Sequence, residues 1–184
     1  MRMTVRAQRE KIVSLSQMVK EKKLLKAAGR KLVFTNGCFD ILHVGHVEYL
    51  AYARDQGDAL AVAINSDASV KKNKGPSRPI VSEDERARLL AALEAVDYVL
   101  IFSDKTPTRL IKAILPDVLV KGADWAHDVV GREIVEKHGG HVVLAPLTKG
   151  RSTTNIIDRI MGSRTSALGK RSKADRLSHS AKQA

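Results

Sequence analysis

Thr35-Asn-Gly-Cys-Phe-Asp-Ile-Leu-His-Val-Gly-His46 continues the apolar run that opens at Leu32. Leu32–Thr35 is short, apolar and partly β-branched, which reads as a buried strand. Gly37 lets the backbone approach a ligand closely at the turn that follows. A helix is then expected from about Val44 to Gln56, ending at Gly57. His43 and His46, three residues apart, share one face of that helix. They stand beside its N-terminus, which favours anions. Gly45 leaves room for a phosphate or base against the backbone. Such a group can donate hydrogen bonds to a triphosphate and stabilise charge developing at the α-phosphorus. Paired imidazoles also suit zinc, but no third ligand lies at plausible spacing and catalytic zinc wants three. Two satisfied histidines at a helix start remain the plain alternative.

The same alternation runs outward from this segment. Strands are expected at Ala59–Ile64, Tyr98–Phe102, Val118–Val120 and Val142–Leu144. Between them, Ser82-Glu-Asp-Glu85 has the form of a capping box, opening a helix through about Ala95. Thr106-Pro107 starts another helix that Pro116 closes, and a further one lies near Val129–His138. Ser152 caps a last helix to Ile160. The first 28 residues read as a helix from the spacing of Ile12, Leu15, Met18 and Val19, with Gly29 as its stop. Strand–helix alternation at this spacing implies an α/β fold, a Rossmann-like open parallel sheet of about five strands with helices on both faces. The expected organisation is a basic helical segment over 1–29, one domain over 30–161 and a basic tail over 162–184 that looks disordered.

The net charge of +12 is carried by the ends. Residues 1–31 hold ten basic and two acidic side chains, and residues 163–184 six and one. The stretch between them holds sixteen basic and seventeen acidic. Basic flanks can hold nucleic acid or anionic lipid, yet no aromatics interleave these charges, so a solubilising role is the simpler reading. No apolar run approaches the roughly 18 residues of a membrane span. No secretory signal is read, and the single Cys38 permits no intramolecular disulfide, so a reducing cytoplasm fits. P-loop, GxGxxG and GxSxG patterns are absent, which removes support for ordinary kinases, dehydrogenases and serine hydrolases.

Ligands of open parallel sheets sit at the carboxyl ends of strands, so residues just after the strands matter most. Asp67 in Asn65-Ser-Asp67 can accept from a hydroxyl or form a turn. Lys71, Lys72 and Lys74 are expected on a Gly/Pro-containing loop that closes over phosphates like a lid, ending at Arg78, which can clamp a phosphate. After the fourth strand come Lys121, Gly122, Asp124 and Trp125, the only tryptophan. Gly122 suits a backbone close to a ligand, and Asp124 can reach a hydroxyl. Trp125 lines a pocket or packs an edge. Ser152, Thr153 and Thr154 offer hydroxyls and helix-start N–H groups to phosphate oxygens.

The segment Thr35–His46 resembles the signature of the cytidylyltransferase-like nucleotidyltransferases, whose hallmark is HxGH after the first strand. Further blocks at Asn65–Asp67, Lys74-Gly-Pro-Ser-Arg-Pro79, Leu119–Trp125 and Arg151–Ile157 resemble the adenylyltransferase domain of bacterial heptose-phosphate enzymes. That domain is often fused to a sugar kinase and is expected to stand alone here. The resemblance implies transfer of AMP from ATP to a heptose 1-phosphate, with Mg²⁺ accompanying the ATP, its protein ligands unknown, and no organic cofactor. It implies His43, His46 and Lys74 as catalytic residues. Asn36, Gly37, Phe39, Asp40, Gly45, Lys121, Gly122, Ser152, Thr153 and Thr154 would bind nucleotide, and Asp67, Arg78, Asp124 and Trp125 the acceptor. A homodimer is expected. Leu147 stands where the glycerol-phosphate cytidylyltransferase form carries an arginine, which speaks against CTP. Two other readings stay open: another nucleotide or phosphorylated acceptor, and a nucleotide-sensing protein that binds nucleic acid through its basic ends.

Overall fold

A computed structural model describes residues 7–146, 150 and 152–162. Residues 163–184 of the expected tail, Leu147 and Arg151 lie outside the described residues. Five parallel strands form one sheet: β1 Leu32–Gly37, β2 Ala59–Asn65, β3 Tyr98–Phe102, β4 Val118–Gly122 and β5 His141–Ala145, in the order β3-β2-β1-β4-β5. The chain leaves β1 to build one half of the sheet and returns beside β1 to build the other. The order therefore reverses between β1 and β4, where such sheets bind ligands.

Alternation of side chains along the strands sends two apolar sets to opposite faces. On one, Met18 and Leu25 of α1 (Leu15–Ala27) and Leu110, Ile111 and Ile114 of α5 (Thr108–Ile114) pack against Leu32, Phe34, Ala61 and Leu100. Val135 of α6 (Arg132–Lys137) joins the same cluster. On the other, Leu50 and Ala53 of α2 (Val44–Arg54) and Ala87 and Leu90 of α4 (Glu83–Ala91) cover Val33, Leu60, Val62 and Val118.

The N-terminal segment corrects the expectation of one helix over 28 residues. Gln8–Lys11 is a 3-10 turn, and α1 begins only at Leu15. Ser14 and Gln17 form a reciprocal capping box that starts the helix there. Between these elements, Ile12 bridges Val99 and the Val13 N–H donates to the Val99 carbonyl at 2.9 Å. The extended piece thus covers an edge strand that would otherwise be open to pairing.

A second correction concerns the expected lysine loop. Residues Asp67–Lys74 form helix α3, capped by the Ser66 hydroxyl on the Ser69 N–H at 3.3 Å and closed by Gly75 at φ +94°. Only Ser69 and Val70 of this helix are buried, so the apolar periodicity that marks a helix was missing. The irregular segment is shorter, from Gly75 to Ser82. Helix α4 also stops at Ala91, short of Ala95.

Gly150 and residues 152–162 belong to a second unit. Within it, residues 153–162 are helical, and the Asn155 N–H donates to the Ser152 hydroxyl at 3.1 Å, the expected cap.

If α1 belongs to the core, Met18→Ala, at a fully buried position, should cost about 2–5 kcal/mol in urea denaturation. Leu24→Ala, on the same helix but 65% exposed, should change stability by less than about 0.5 kcal/mol.

Candidate active site

β1 pairs with β2 at six positions but with β4 at only two, Val33–Val118 and Phe34–Leu119. β4 meanwhile stays paired with β5 as far as Gly122. The two halves of the sheet therefore part at their carboxyl ends, and side chains span the opening. Lys121 Nζ donates to Asn36 Oδ1 at 2.5 Å. The Tyr49 hydroxyl lies 2.6 Å from Thr35 Oγ1 and donates to the Val120 carbonyl at 3.1 Å. Burial pushes the Lys121 ammonium down to about 8, partly offset by the Asp124 carboxylate. Burial pushes the Tyr49 phenol up to about 12, so it stays protonated and able to donate.

The signature turn stands at the end of β1. His43 is the N-cap residue of α2 in extended conformation, its carbonyl accepting the His46 N–H at 2.8 Å. The two imidazoles stack with centroids 3.8 Å apart and planes 18° from parallel. The Phe39 ring lies 5.1 Å from that of His46. Phe39 holds the left-handed backbone (φ +48°), a conformation that costs about 1–3 kcal/mol. A Cβ on Gly37 would lie 3.0 Å from the Phe39 ring. Gly37 thus gives space to Phe39, a use that the expected ligand approach did not include. Burial first, then the charges of His43 and Lys74, push His46 down to about 4. His46 is therefore neutral near pH 7, and its buried Nδ1 has no hydrogen-bond partner among the described residues.

The carboxylates are used differently from the sequence expectation. Asp40, read as nucleotide-binding, is buried and ties down the segment before α4. It accepts from Arg78 Nε at 2.5 Å, Ile80 N–H at 2.8 Å and Val81 N–H at 2.9 Å. Burial alone would raise this carboxyl, but those bonds hold it below the usual carboxylate range. Arg78 keeps one donor in hand, since its buried Nη2 has no protein partner among the described residues. Asp67, read as an acceptor ligand, heads α3 and receives Arg86 Nη2 at 2.7 Å.

Arg86 is the residue that sequence reasoning missed. Its side chain is fully buried, donating also to the Cys38 carbonyl at 2.6 Å and the Val81 carbonyl at 3.0 Å. One guanidinium thus joins the signature turn, α3 and the segment before α4. In the sequence it stands among Glu, Asp and Arg on a helix that looks solvated, and no local signal separates it from them.

The structure thus brings His43, His46, Phe39, Asn36, Lys121 and the charges of Lys74 and Asp124 to the sheet's carboxyl edge. Gly45 is the second residue of α2, and Gly122 ends β4. Trp125 lies on a 3-10 turn after β4 and is 55% exposed. Ser152, Thr153 and Thr154 belong to the second unit. Among the described residues no three His, Cys, Asp or Glu side chains form a metal-binding group, so the zinc alternative gains no support.

Comparison with known proteins agrees with this geometry. Two bacterial proteins named bifunctional protein HldE are similar over most of the chain. That of Geobacter metallireducens is 57% identical over 137 residues, and that of Syntrophotalea carbinolica 58% identical over 134. These stretches cover 74% and 72% of this chain but 28% and 27% of those proteins, so the chain spans little more than a quarter of their length. Among solved structures, the lipopolysaccharide core biosynthesis protein of Thermoplasma volcanium matches with a TM-score of 0.55 and 30% identity. The match covers 67% of this chain and all of that one. Pantoate-β-alanine ligase of Francisella tularensis, at 15% identity and a TM-score of 0.54, covers 77% of this chain and 68% of that one. It shares the fold. Residues 34–159, from within β1 into the helix over 153–162, match the cytidylyltransferase-like family, and the chain belongs to that family.

Proposed function

We propose that the chain transfers AMP from ATP to D-glycero-D-manno-heptose 1-phosphate, giving ADP-heptose and pyrophosphate. The observation that carries this reading is the stacked His43–His46 pair, its His46 neutral, at the carboxyl edge of the sheet. It lies within residues 34–159, which match the cytidylyltransferase-like family.

In this reading an oxygen of the acceptor phosphate attacks the α-phosphorus of ATP in line. The new P–O bond forms as the bond to the β-phosphate bridging oxygen breaks, and pyrophosphate leaves with the electron pair. The acceptor is already an oxyanion, so no side chain needs to remove a proton and no covalent enzyme intermediate is required. The chain's work is positioning and charge stabilisation. Neutral His46 offers an N–H donor without placing two imidazolium charges in a stack. Lys74, Lys121 and the spare Arg78 Nη2 supply positive charge for the phosphates.

Asn36, the Gly37–Phe39 turn and Gly45 would shape the nucleotide side. Asp124 and Trp125 would meet the acceptor, and Asp40 and Asp67 would act through the arginines they hold. Mg²⁺ would arrive with ATP and screen phosphate charge. Asp40 and Asp67 are engaged by arginines and no three-ligand group exists among the described residues. Among the described residues no side chains form a cage for the ion. A cytoplasmic homodimer completes the reading; among the described residues no helix is long and apolar enough to cross a membrane.

Pyrophosphate release across the four nucleoside triphosphates and a panel of sugar phosphates tests the assignment. Turnover should be best with ATP and the heptose 1-phosphate. A clear preference for CTP would sink the ADP-heptose assignment while leaving the fold and the histidine pair standing.

His43→Ala or His46→Ala removes a donor aimed at developing phosphate charge, worth about 2.7–4 kcal/mol. Turnover should fall by about two to three decades with a near-normal melting temperature at pH 7.5. Normal turnover in both variants would contradict the mechanism.

The depressed value of His46 also fixes a pH dependence. The unfolded chain takes up this proton near 6.5 and the folded one only near 4, so the unfolded state binds more protons between them. The stability contribution is therefore full above pH 6.5 and is lost as pH falls toward 4. Melting temperature should decline through that window in the wild type and less steeply in His46→Asn. Equal slopes would show that His46 titrates normally.

A further inference from the structure

We propose that Tyr49 is a positioning residue whose hydroxyl, wedged between Thr35 and Val120, fixes the depth at which α2 holds His46 beside the β1–β4 opening. The inference rests on the reading that His46 faces the reacting phosphate.

The register makes the wedge visible. β1 and β4 pair at Val33–Val118 and Phe34–Leu119 and then stop. One step further would set Thr35 against Val120, and two steps Asn36 against Lys121. Both missing pairs are replaced by side chains. Tyr49 donates to the Val120 carbonyl at 3.1 Å, and with its single proton so used it accepts from the Thr35 hydroxyl at 2.6 Å. Lys121 Nζ reaches Asn36 Oδ1. The Tyr49 hydroxyl thus satisfies a strand carbonyl that lost its ladder partner, a group that is costly to bury unpaired. It does so without closing the opening.

Tyr49 lies three residues after His46, one turn along the same face of α2. The apolar contacts of Leu50 and Ala53 press α2 onto the sheet but are non-directional. Hydrogen bonds have direction. Tyr49 pins the N-terminal half of the helix, and Arg54 pins the other end through Asp97 at 2.9 Å. Rotation or lift of α2 at the Tyr49 end would carry His46 with it. Movement of about 1 Å at a reacting centre is enough to cost a large factor in rate.

Tyr49→Phe keeps the ring and deletes only the pin. In ¹⁵N-histidine NMR of the folded variant, the His46 midpoint should rise from about 4 toward 6.5 as α2 lifts and the ring is hydrated. A rise of about one pH unit, tenfold in proton affinity, is expected. ATP affinity should stay within about twofold, while kcat falls about tenfold, or 1.4 kcal/mol. Thr35→Val removes the other partner of the hydroxyl and should move both readouts the same way by less. An unchanged His46 titration in folded Tyr49→Phe, or an unchanged kcat, would overturn the inference. Loss of the fold would also overturn it, because the hydroxyl would then be structural. The titration needs no acceptor. If His46 responds while wild type turns over no sugar phosphate, the assignment of the acceptor fails and the positioning role stands.

Discussion

The parting of β1 from β4 after Phe34 and Leu119 is the constraint on which the rest of the site depends. A parallel sheet that stayed paired to its carboxyl edge would offer a ligand only a closed row of backbone. Here β1 keeps its full ladder to β2, and β4 its ladder to β5. Each strand is held firmly on its outer side and left unpaired on its inner side. Unpaired inner backbone groups need partners; the Tyr49 hydroxyl donates to the Val120 carbonyl and Lys121 Nζ lies 3.5 Å from the Asn36 carbonyl, without restoring the ladder. Helix α2, with its two histidines at the N-terminus, follows β1 at the same carboxyl edge.

Charge is arranged around that opening by a division of labour. The two carboxylates expected to meet ligands, Asp40 and Asp67, are each joined to an arginine and so organise the chain. Asp40 fastens the segment before α4, and Asp67 reaches Arg86, which also holds the signature turn through the Cys38 carbonyl. In the proposed reading Lys74, Lys121 and one Arg78 nitrogen then supply the positive charge beside a neutral His46. A polyanion would meet a positive field with few competing carboxylates. The cost of burying Arg86 is offset by its three hydrogen bonds, since an unpaired buried charge would be strongly destabilising.

Much of this was legible in the sequence because it is local. Strands showed as short apolar runs, and Ser82 and Ser152 showed as caps. The histidines showed as a spacing on a helix that follows a strand and a glycine. Helix α3 was not legible, because it buries almost nothing and its lysines look like a loop. The start of α1 was misread because Ile12, Leu15 and Val19 sit at helical spacing although Ile12 pairs with an edge strand. Arg86 with Cys38, Asp40 with Arg78, and Tyr49 with Val120 are contacts across 38 to 71 residues. No periodicity reports such pairs. The roles of Asp40 and Gly37 were visible only once the fold had placed Arg78 and Phe39 beside them.

The central claim is that an oxygen of the acceptor phosphate forms the new bond to the α-phosphorus of ATP, with pyrophosphate as the leaving group. Its most direct test uses heptose 1-phosphate carrying ¹⁸O in all its non-bridging phosphate oxygens, with unlabelled ATP, and mass spectrometry of both products. The account predicts ADP-heptose that retains the whole label, including the new bridging position, and pyrophosphate that carries none. Label in pyrophosphate, or consumption of ATP without a labelled nucleotide-sugar, would contradict it.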